Sequence, residues 1–319
     1  MISGPMLPFR LANARRLGRL AASAMLLVAV AATPALARAV VFERVLETPC
    51  RALALDREPL WAALGDDVVT VQDKKGIREE PLPPLLRGAH QELGVFFGRD
   101  YRVRIAGTSQ TTKGDEARYY RSLPGGLRPA PDELGPLGKA GAPGLVALLG
   151  TLDPEIVCRP GMSCLIKRIS GWTKASAPSG LERVGLSLGT GWALVGASLF
   201  RLDKDWVAVG PASPGAPWQT ADDAFIREQR ACVIERKTSR MHHFDGQRWR
   251  STQSPVSGPR SLWGTADSLW VAGEGGVAVF QDGAWVSIPA APRGVAQVLG
   301  RDVKDVWLCS SQGVYRSQR

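Results

Sequence analysis

Few side chains in this sequence are suited to chemistry: three histidines (His90, His242, His243) and five cysteines (Cys50, Cys158, Cys164, Cys232, Cys309). The adjacent pair His242-His243 invites a metal-site reading. Consecutive residues of a strand point to opposite faces, however, so the two rings cannot chelate from one side. The cysteines have no CxxC spacing and no histidine nearby, which argues against zinc. A Ser-His-Asp triad would need a base. No nucleophile-elbow pattern is present, and with His242 and His243 explained by a hairpin the base would have to be His90, in a loop after Pro83-Pro84. Asp66, Asp67, Asp222 and Asp223 could supply the paired carboxylates of a glycosidase, but Asp66-Asp67 reads as an ordinary turn between two strands. Glu274-Gly275-Gly276 lacks the helix and the Lys-Ser/Thr pair of a phosphate-cradling loop. These observations imply no catalytic residue, no cofactor and no metal.

The elements that carry these residues begin after a leader. Arg10, Arg15, Arg16 and Arg19 precede an apolar stretch from Leu20 to Ala32, and Ala35-Leu36-Ala37 follows as a small-x-small cleavage pattern. Residues 1–37 read as a secretory signal peptide, too short in its apolar run for a spanning helix of about 20 residues. Residues 38–319 remain, in a periplasmic or secreted setting without a membrane span. The full chain carries a formal charge of +10. After cleavage the excess is mild, and no Lys/Arg cluster interleaves with aromatics, which excludes a nucleic-acid reading. An exported chain can form disulfides. Cys158 and Cys164 flank Arg159-Pro160-Gly161-Met162-Ser163, a turn, and so face each other across a hairpin as a candidate disulfide. Of Cys50, Cys232 and Cys309, at least one stays free or pairs between molecules.

A repeat organises the rest. Ser261-Leu262-Trp263-Gly264, Leu269-Trp270-Val271-Ala272-Gly273, Val277-Ala278-Val279-Phe280 and Trp285-Val286-Ser287-Ile288 are four short strands joined by tight turns, Asp282-Gly283 among them. Residues 295–316 repeat the first three. Trp172, Trp206, Trp249 and Trp285, separated by 34, 43 and 36 residues, each open a fourth strand. Four-stranded units of about 40 residues are the signature of a propeller. Seven fit the length, starting near Arg51, Gln91, Leu145, Val184, Ala224, Arg260 and Val295, with six or eight as alternatives. The last unit lacks an outer strand, and Val40 to Pro49 is a spare alternating strand at the other end. The expected fold is therefore all-β: a single seven-bladed β-propeller of four-stranded antiparallel blades, closed by the N-terminal strand completing the last blade, since an open ring would leave a sheet edge unpaired. A long loop or insertion is expected at about 107–144.

The pattern Trp263-Gly264, Leu269-Trp270, Gly273, Gly276, Asp282-Gly283, Trp285 resembles secreted bacterial β-propeller repeat proteins with WD40/YVTN-like or kelch-like blades. His243-Phe244-Asp245-Gly246-Gln247-Arg248-Trp249 matches their aromatic-Asp-Gly-x-x-Trp hairpin. The likeness is strongest over 241–316, fair over 145–210 and weak over 51–130. Such a family is defined by repeats, so it implies a fold and export rather than an activity.

The function expected on this reading is a monomeric, non-enzymatic scaffold that binds an envelope or exterior protein or polysaccharide. Its candidate surface is the set of turns between second and third strands: Asp66, Lys113, Arg159, Met162, Glu274 and Gln312. A carbohydrate-active hydrolase or lyase with a central-channel site is the first alternative. The apolar first strands Ala52-Leu53-Ala54-Leu55, Gly94-Val95-Phe96-Phe97 and Val146-Ala147-Leu148-Leu149 speak against it. Membership of an envelope assembly complex is the second alternative.

Overall fold

The computed structural model describes residues 40–87, 92–97, 100–111, 114–130, 147–149, 155–158, 163–168, 171–176, 180–188, 190–210 and 217–318. The expected signal peptide lies outside them. Among the described residues the structure is all-β, with one 3-10 turn at Pro84–Leu86 and no α-helix.

The described strands form seven four-stranded antiparallel sheets. Sheet 1 takes Ala52–Leu55, Trp61–Leu64, Val68–Asp73 and Gly76–Pro81. Sheet 2 takes Glu92–Phe97, Val103–Thr111, Gly114–Leu123 and Gly126–Pro129. Sheet 3 takes Ala147–Leu149, Glu155–Cys158, Ser163–Arg168 and Gly171–Ser176. Sheet 4 takes Arg183–Ser187, Thr190–Val195, Ser198–Leu202 and Trp206–Ala208. Sheet 5 takes Asp223–Arg227, Arg230–Glu235, Arg240–Phe244 and Trp249–Gln253. Sheet 6 takes Pro259–Gly264, Leu269–Gly273, Gly276–Gln281 and Ala284–Ser287. Sheet 7 takes Val295–Asp302, Asp305–Ser310 and Gly313–Gln318, and its outermost strand is Val41–Leu46 from the other end of the chain. Val41 pairs with Gln318 and Leu46 with Val314. The first strand of each sheet lies against the first strand of the next, and that of sheet 7 against that of sheet 1.

Burial follows this stacking. The second strands Trp61–Leu64 and Leu269–Gly273 are almost wholly buried, whereas the fourth strand Trp249–Gln253 is largely exposed. The hairpin motif has a physical basis. Phe244 is the cross-strand partner of Trp249 and Phe280 of Trp285, with ring centroids 5.1 and 5.3 Å apart, so each turn is closed by an aromatic pair. Asp282 (φ 52°) and Gly283 (φ 81°) supply the two positive φ angles that a two-residue hairpin turn demands. At Gly300 a Cβ would lie 2.4 Å from the Trp263 ring, so the sheet 6 to sheet 7 contact requires glycine there.

The junction of sheets 7 and 1 is fastened three ways. Trp307 of sheet 7 packs into a core cluster with Leu53, Leu55 and Trp61 of sheet 1, the two indole centroids 5.6 Å apart. Cys50 and Cys309 form a disulfide. Asp305 receives Arg301 at 2.6 Å, Arg316 at 2.7 Å and the Trp307 indole N–H at 2.7 Å, while Arg301 Nη2 also donates to the Leu60 carbonyl of sheet 1 at 2.6 Å. Burial alone would raise the Asp305 carboxyl, but these donors hold it below its ordinary value.

The strand pairing and the cysteines refine two readings of the sequence. Much of the stretch anticipated as a loop at 107–144 is strand: residues 107–111 and 114–123 pair from Arg104↔Arg121 out to Thr111↔Gly114, and 126–129 is the fourth strand of sheet 2. A polar hairpin that outgrows its neighbours satisfies its backbone internally, so it reads as loop by composition while being regular. Residues 131–146 lie outside the described set. The question left by three cysteines is also answered: Cys50 and Cys309 bond within the chain, and Cys232 is a free, buried thiol.

Candidate binding face and the inner strands

Asp66, Glu274 and Gln312 all lie on second-to-third strand turns, of sheets 1, 6 and 7. Lys113, Arg159 and Met162 lie outside the described residues. Asp66 sits 3.6 Å from Arg51. The backbone carbonyl of Gln312 accepts Arg44 Nη2 at 2.5 Å, which ties the turn to the N-terminal strand. Glu274 is the most heavily engaged: one oxygen accepts Arg236 of sheet 5 at 2.6 Å and Arg260 of its own sheet at 3.0 Å. The Arg236 bond, then the Arg260 bond, hold its carboxyl below the usual range. This carboxylate closes one side of a cleft of about 560 Å³ between sheets 5 and 6, with Asp222, Arg236, Lys237 and Ser239 on the other side. Asp222 is itself occupied, accepting the Arg236 backbone N–H at 2.6 Å.

The inner strands are less apolar than sheets 1 to 3 implied. Asp223, Ser261 and Gln297 stand in the first strands of sheets 5, 6 and 7, and each reaches the next sheet. Asp223 accepts the Leu262 N–H at 2.7 Å, Ser261 Oγ the Val298 N–H at 3.2 Å, and Gln297 Oε1 the Leu53 N–H of sheet 1 at 2.7 Å. Arg183, in the first strand of sheet 4, donates to the Asp222 carbonyl at 2.7 Å. Burial pushes the Asp223 carboxyl up to about 6, against the N–H groups of Leu262 and Ala224. Each acceptor serves a backbone donor of the next sheet. Asp223 is one of the carboxylates the sequence offers for acid/base chemistry, whereas Ser261 and Gln297 carry no local motif. Their steps of 38 and 36 residues match the repeat and were the signal available.

A second constellation escaped sequence reasoning. His242 is wholly buried; its Nδ1 lies 2.9 Å from Ser251 Oγ, and its Nε2 lies 3.8 Å from Glu235 Oε2. Burial would raise the Glu235 carboxyl, but the Thr238 hydroxyl and the Gln219 and Thr220 N–H groups, with His242 beside it, hold it low. Burial lowers the His242 ring below its ordinary value. Residue types and order imitate a nucleophile, base and orienter. The geometry does not: Nε2 to Oε2 exceeds hydrogen-bond length, and Trp218, with its ring centroid 5.5 Å away, packs on the imidazole. The group is a polar clasp joining three strands of sheet 5 and the segment before it. His243 is half-buried on the opposite face, as alternation requires. Among the described residues no group of three or more His, Cys, Asp or Glu side chains is placed to hold a metal.

Backbone register sets Cys158 opposite Cys164, and Cys164 is disulfide-bonded. Among the described residues no helix is long and apolar enough to cross a membrane.

Consecutive four-stranded antiparallel sheets stacked through their first strands define a β-propeller repeat protein. Solved structures agree. Virginiamycin B lyase from Staphylococcus aureus superposes with a TM-score of 0.60 at 11% identity, covering 88% of this chain and 99% of that one. YCF48 bound to D1 peptide gives 0.60 at 14% identity, covering 90% and 98%. The WD40 β-propeller domain of Doa1 gives 0.56 at 9%, covering 88% and 96%. At such identities the likeness is one of fold. No protein-family model and no curated protein matches the chain.

Proposed function

We propose that the chain is an exported, non-enzymatic β-propeller of seven blades, closed by its N-terminal strand, that binds a protein or glycan partner of the cell envelope or exterior through its second-to-third strand turns. Closure is supported by the pairing of Val41–Leu46 with Gly313–Gln318 and by the Gln297 to Leu53 bond between sheets 7 and 1. Export is supported by the basic segment, apolar run and Ala35-Leu36-Ala37 at the start, and by a disulfide, which persists in oxidising compartments.

One observation carries the binding reading: the polar groups of the inner strands are spent on joining neighbouring sheets, whereas the turn end presents a charged cleft about Glu274, Arg236 and Lys237. Propellers offer such rigid, loop-bearing ends as broad recognition surfaces. The test is capture from an envelope fraction with the mature chain and with Arg236→Glu/Lys237→Glu, alongside a glycan array. A stoichiometric protein partner, or a defined glycan, lost in the double variant supports the reading. Retention of either by the variant moves the surface elsewhere.

Catalysis is the competing reading, since one structural neighbour is a lyase. It would take the form of a carbohydrate-active hydrolase or lyase with a central-channel site. Incubating the mature chain with envelope and exterior polysaccharides distinguishes the two: the proposal expects no new reducing ends and no unsaturated products, and either one sinks it.

A further inference from the structure

At the opposite end of sheets 5 and 6, among first-to-second and third-to-fourth strand turns, lies another cleft of about 430 Å³. We propose that it binds a small organic monocarboxylate, an anionic head on an apolar body. The proposal concerns a different surface from the partner-binding turns.

The head is argued from charge. Arg227 and Arg230 are direct cross-strand partners, held facing each other by the two-residue turn at Glu228 (φ 52°) and Gln229. Like charges directly opposite destabilise a hairpin. Neither guanidinium has a side-chain hydrogen bond or ion pair among the described residues, although both line the cleft. The third arginine, Arg250, is committed to Asp245 at 3.3 Å, and Asp245 is also filled by the backbone N–H groups of Gln247 and Arg248 at 3.0 and 2.9 Å. An anion between Arg227 and Arg230 would relieve a repulsion that the chain leaves unrelieved, and paired guanidinium forks suit a carboxylate. His243 lines the same cleft, and burial lowers its ring below the ordinary value, leaving a neutral donor. Asp245 and Asp267 also line the cleft, so a single negative charge fits better than two.

The body is argued from the walls. Phe225 and Leu269 pack in the core between sheets 5 and 6, and Phe280 remains 37% exposed although its ring lines the cleft. The volume is that of a small-ligand site, and such sites pair apolar walls with few polar groups.

The test is calorimetric titration of the mature chain with phenylbutyrate, phenylbutanol and inorganic phosphate. The carboxylate should bind with unit stoichiometry, and the uncharged alcohol about ten-fold more weakly or not at all. Arg227→Gln/Arg230→Gln should lose about ten-fold or more in affinity while melting at or above the wild-type temperature, because a like-charge pair has gone. Phe280→Ser should weaken the carboxylate as well, and Arg236→Gln, at the other end, should leave binding unchanged. Equal binding of alcohol and carboxylate, displacement by phosphate, unaltered affinity in the double arginine variant, or no binding at millimolar carboxylate each overturns the proposal.

Discussion

Gln297 Oε1, in the first strand of sheet 7, accepts the backbone N–H of Leu53, in the first strand of sheet 1, at 2.7 Å. The two residues are far apart in the chain, and the bond spans the junction between the last sheet and the first. Gln297→Ala should leave a backbone N–H without its acceptor and cost about 1–3 kcal/mol. Gln297→Glu, which keeps an acceptor, should cost less near neutral pH. Urea titration of both variants measures the difference, and equal costs would refute the role of the acceptor.

The disulfide between Cys50 and Cys309 spans 259 residues. Loops of that length place the stabilisation at the upper end of the usual range, about 3–5 kcal/mol. Cys50→Ser/Cys309→Ser should lose that amount in denaturant titration. Thiol counting gives an independent check. Burial pushes the Cys232 thiol up, so it should be unreactive in the folded chain, and one thiol should appear on unfolding without reductant. Peptide mapping should also recover Cys158 joined to Cys164.

Phe42 lies beside Trp270, ring centroids 6.5 Å apart and nearly perpendicular. Phe42→Ala should cost about 3–5 kcal/mol, as other buried aromatic truncations do. Removing residues 38–49 takes the whole outer strand, Phe42 included, and should leave an aggregating or unfolded product. Size-exclusion chromatography and a melting curve decide the point; an unchanged monomer would contradict it.

Asp223 gives a pH dependence with a definite sign. Its carboxyl is raised to about 6 in the folded chain from an ordinary 3.8. The folded state therefore holds this proton more tightly than the unfolded state. The contribution is full below about pH 3.8 and is lost as pH rises through about 6. Asp223→Asn keeps an acceptor for Leu262 and cannot ionise. Its stability relative to wild type should climb between pH 4 and pH 7, read from urea midpoints across that interval. The two histidines of sheet 5 are present in both proteins and cancel. Parallel profiles would show that Asp223 does not titrate in this range.

Export makes a prediction of its own: N-terminal sequencing of the protein recovered outside the cytoplasm should begin at Arg38. A mature chain that retains the arginines at 10 to 19 would remove the signal peptide from the reading.

The fold was legible in the sequence where a repeat could be seen. Trp206, Trp249 and Trp285 each mark an outer strand because they face Leu202, Phe244 and Phe280 across the preceding hairpin, and Trp172 holds the equivalent place in the outer strand of sheet 3, so their spacing is the spacing of the sheets. The spare strand at Val40 was legible because its counterpart was missing. The pairing of Cys50 with Cys309 was not, since nothing local reports that two distant strands share a junction. The latching residues Asp223, Ser261 and Gln297 were obscured for another reason. They differ in chemistry, and only their common position, one residue before the amide they serve in the next sheet, makes them alike. The clasp at His242 was hidden because its partners, Ser251 and Glu235, come from strands whose register is set by pairing rather than by proximity in the chain.

The partnership of Val41–Leu46 with Gly313–Gln318 also governs timing. Synthesis delivers the outer strand early and its mate last, so for almost the whole of elongation that strand has no place to dock. A nascent or half-translocated chain can assemble the middle sheets as they emerge, but sheet 7 stays incomplete until residue 318 is free. Non-local pairings of this kind fold late and slowly, so the waiting segment, with Phe42 and Val40 uncovered, is where a holding chaperone or a quality-control protease would find the unfinished molecule.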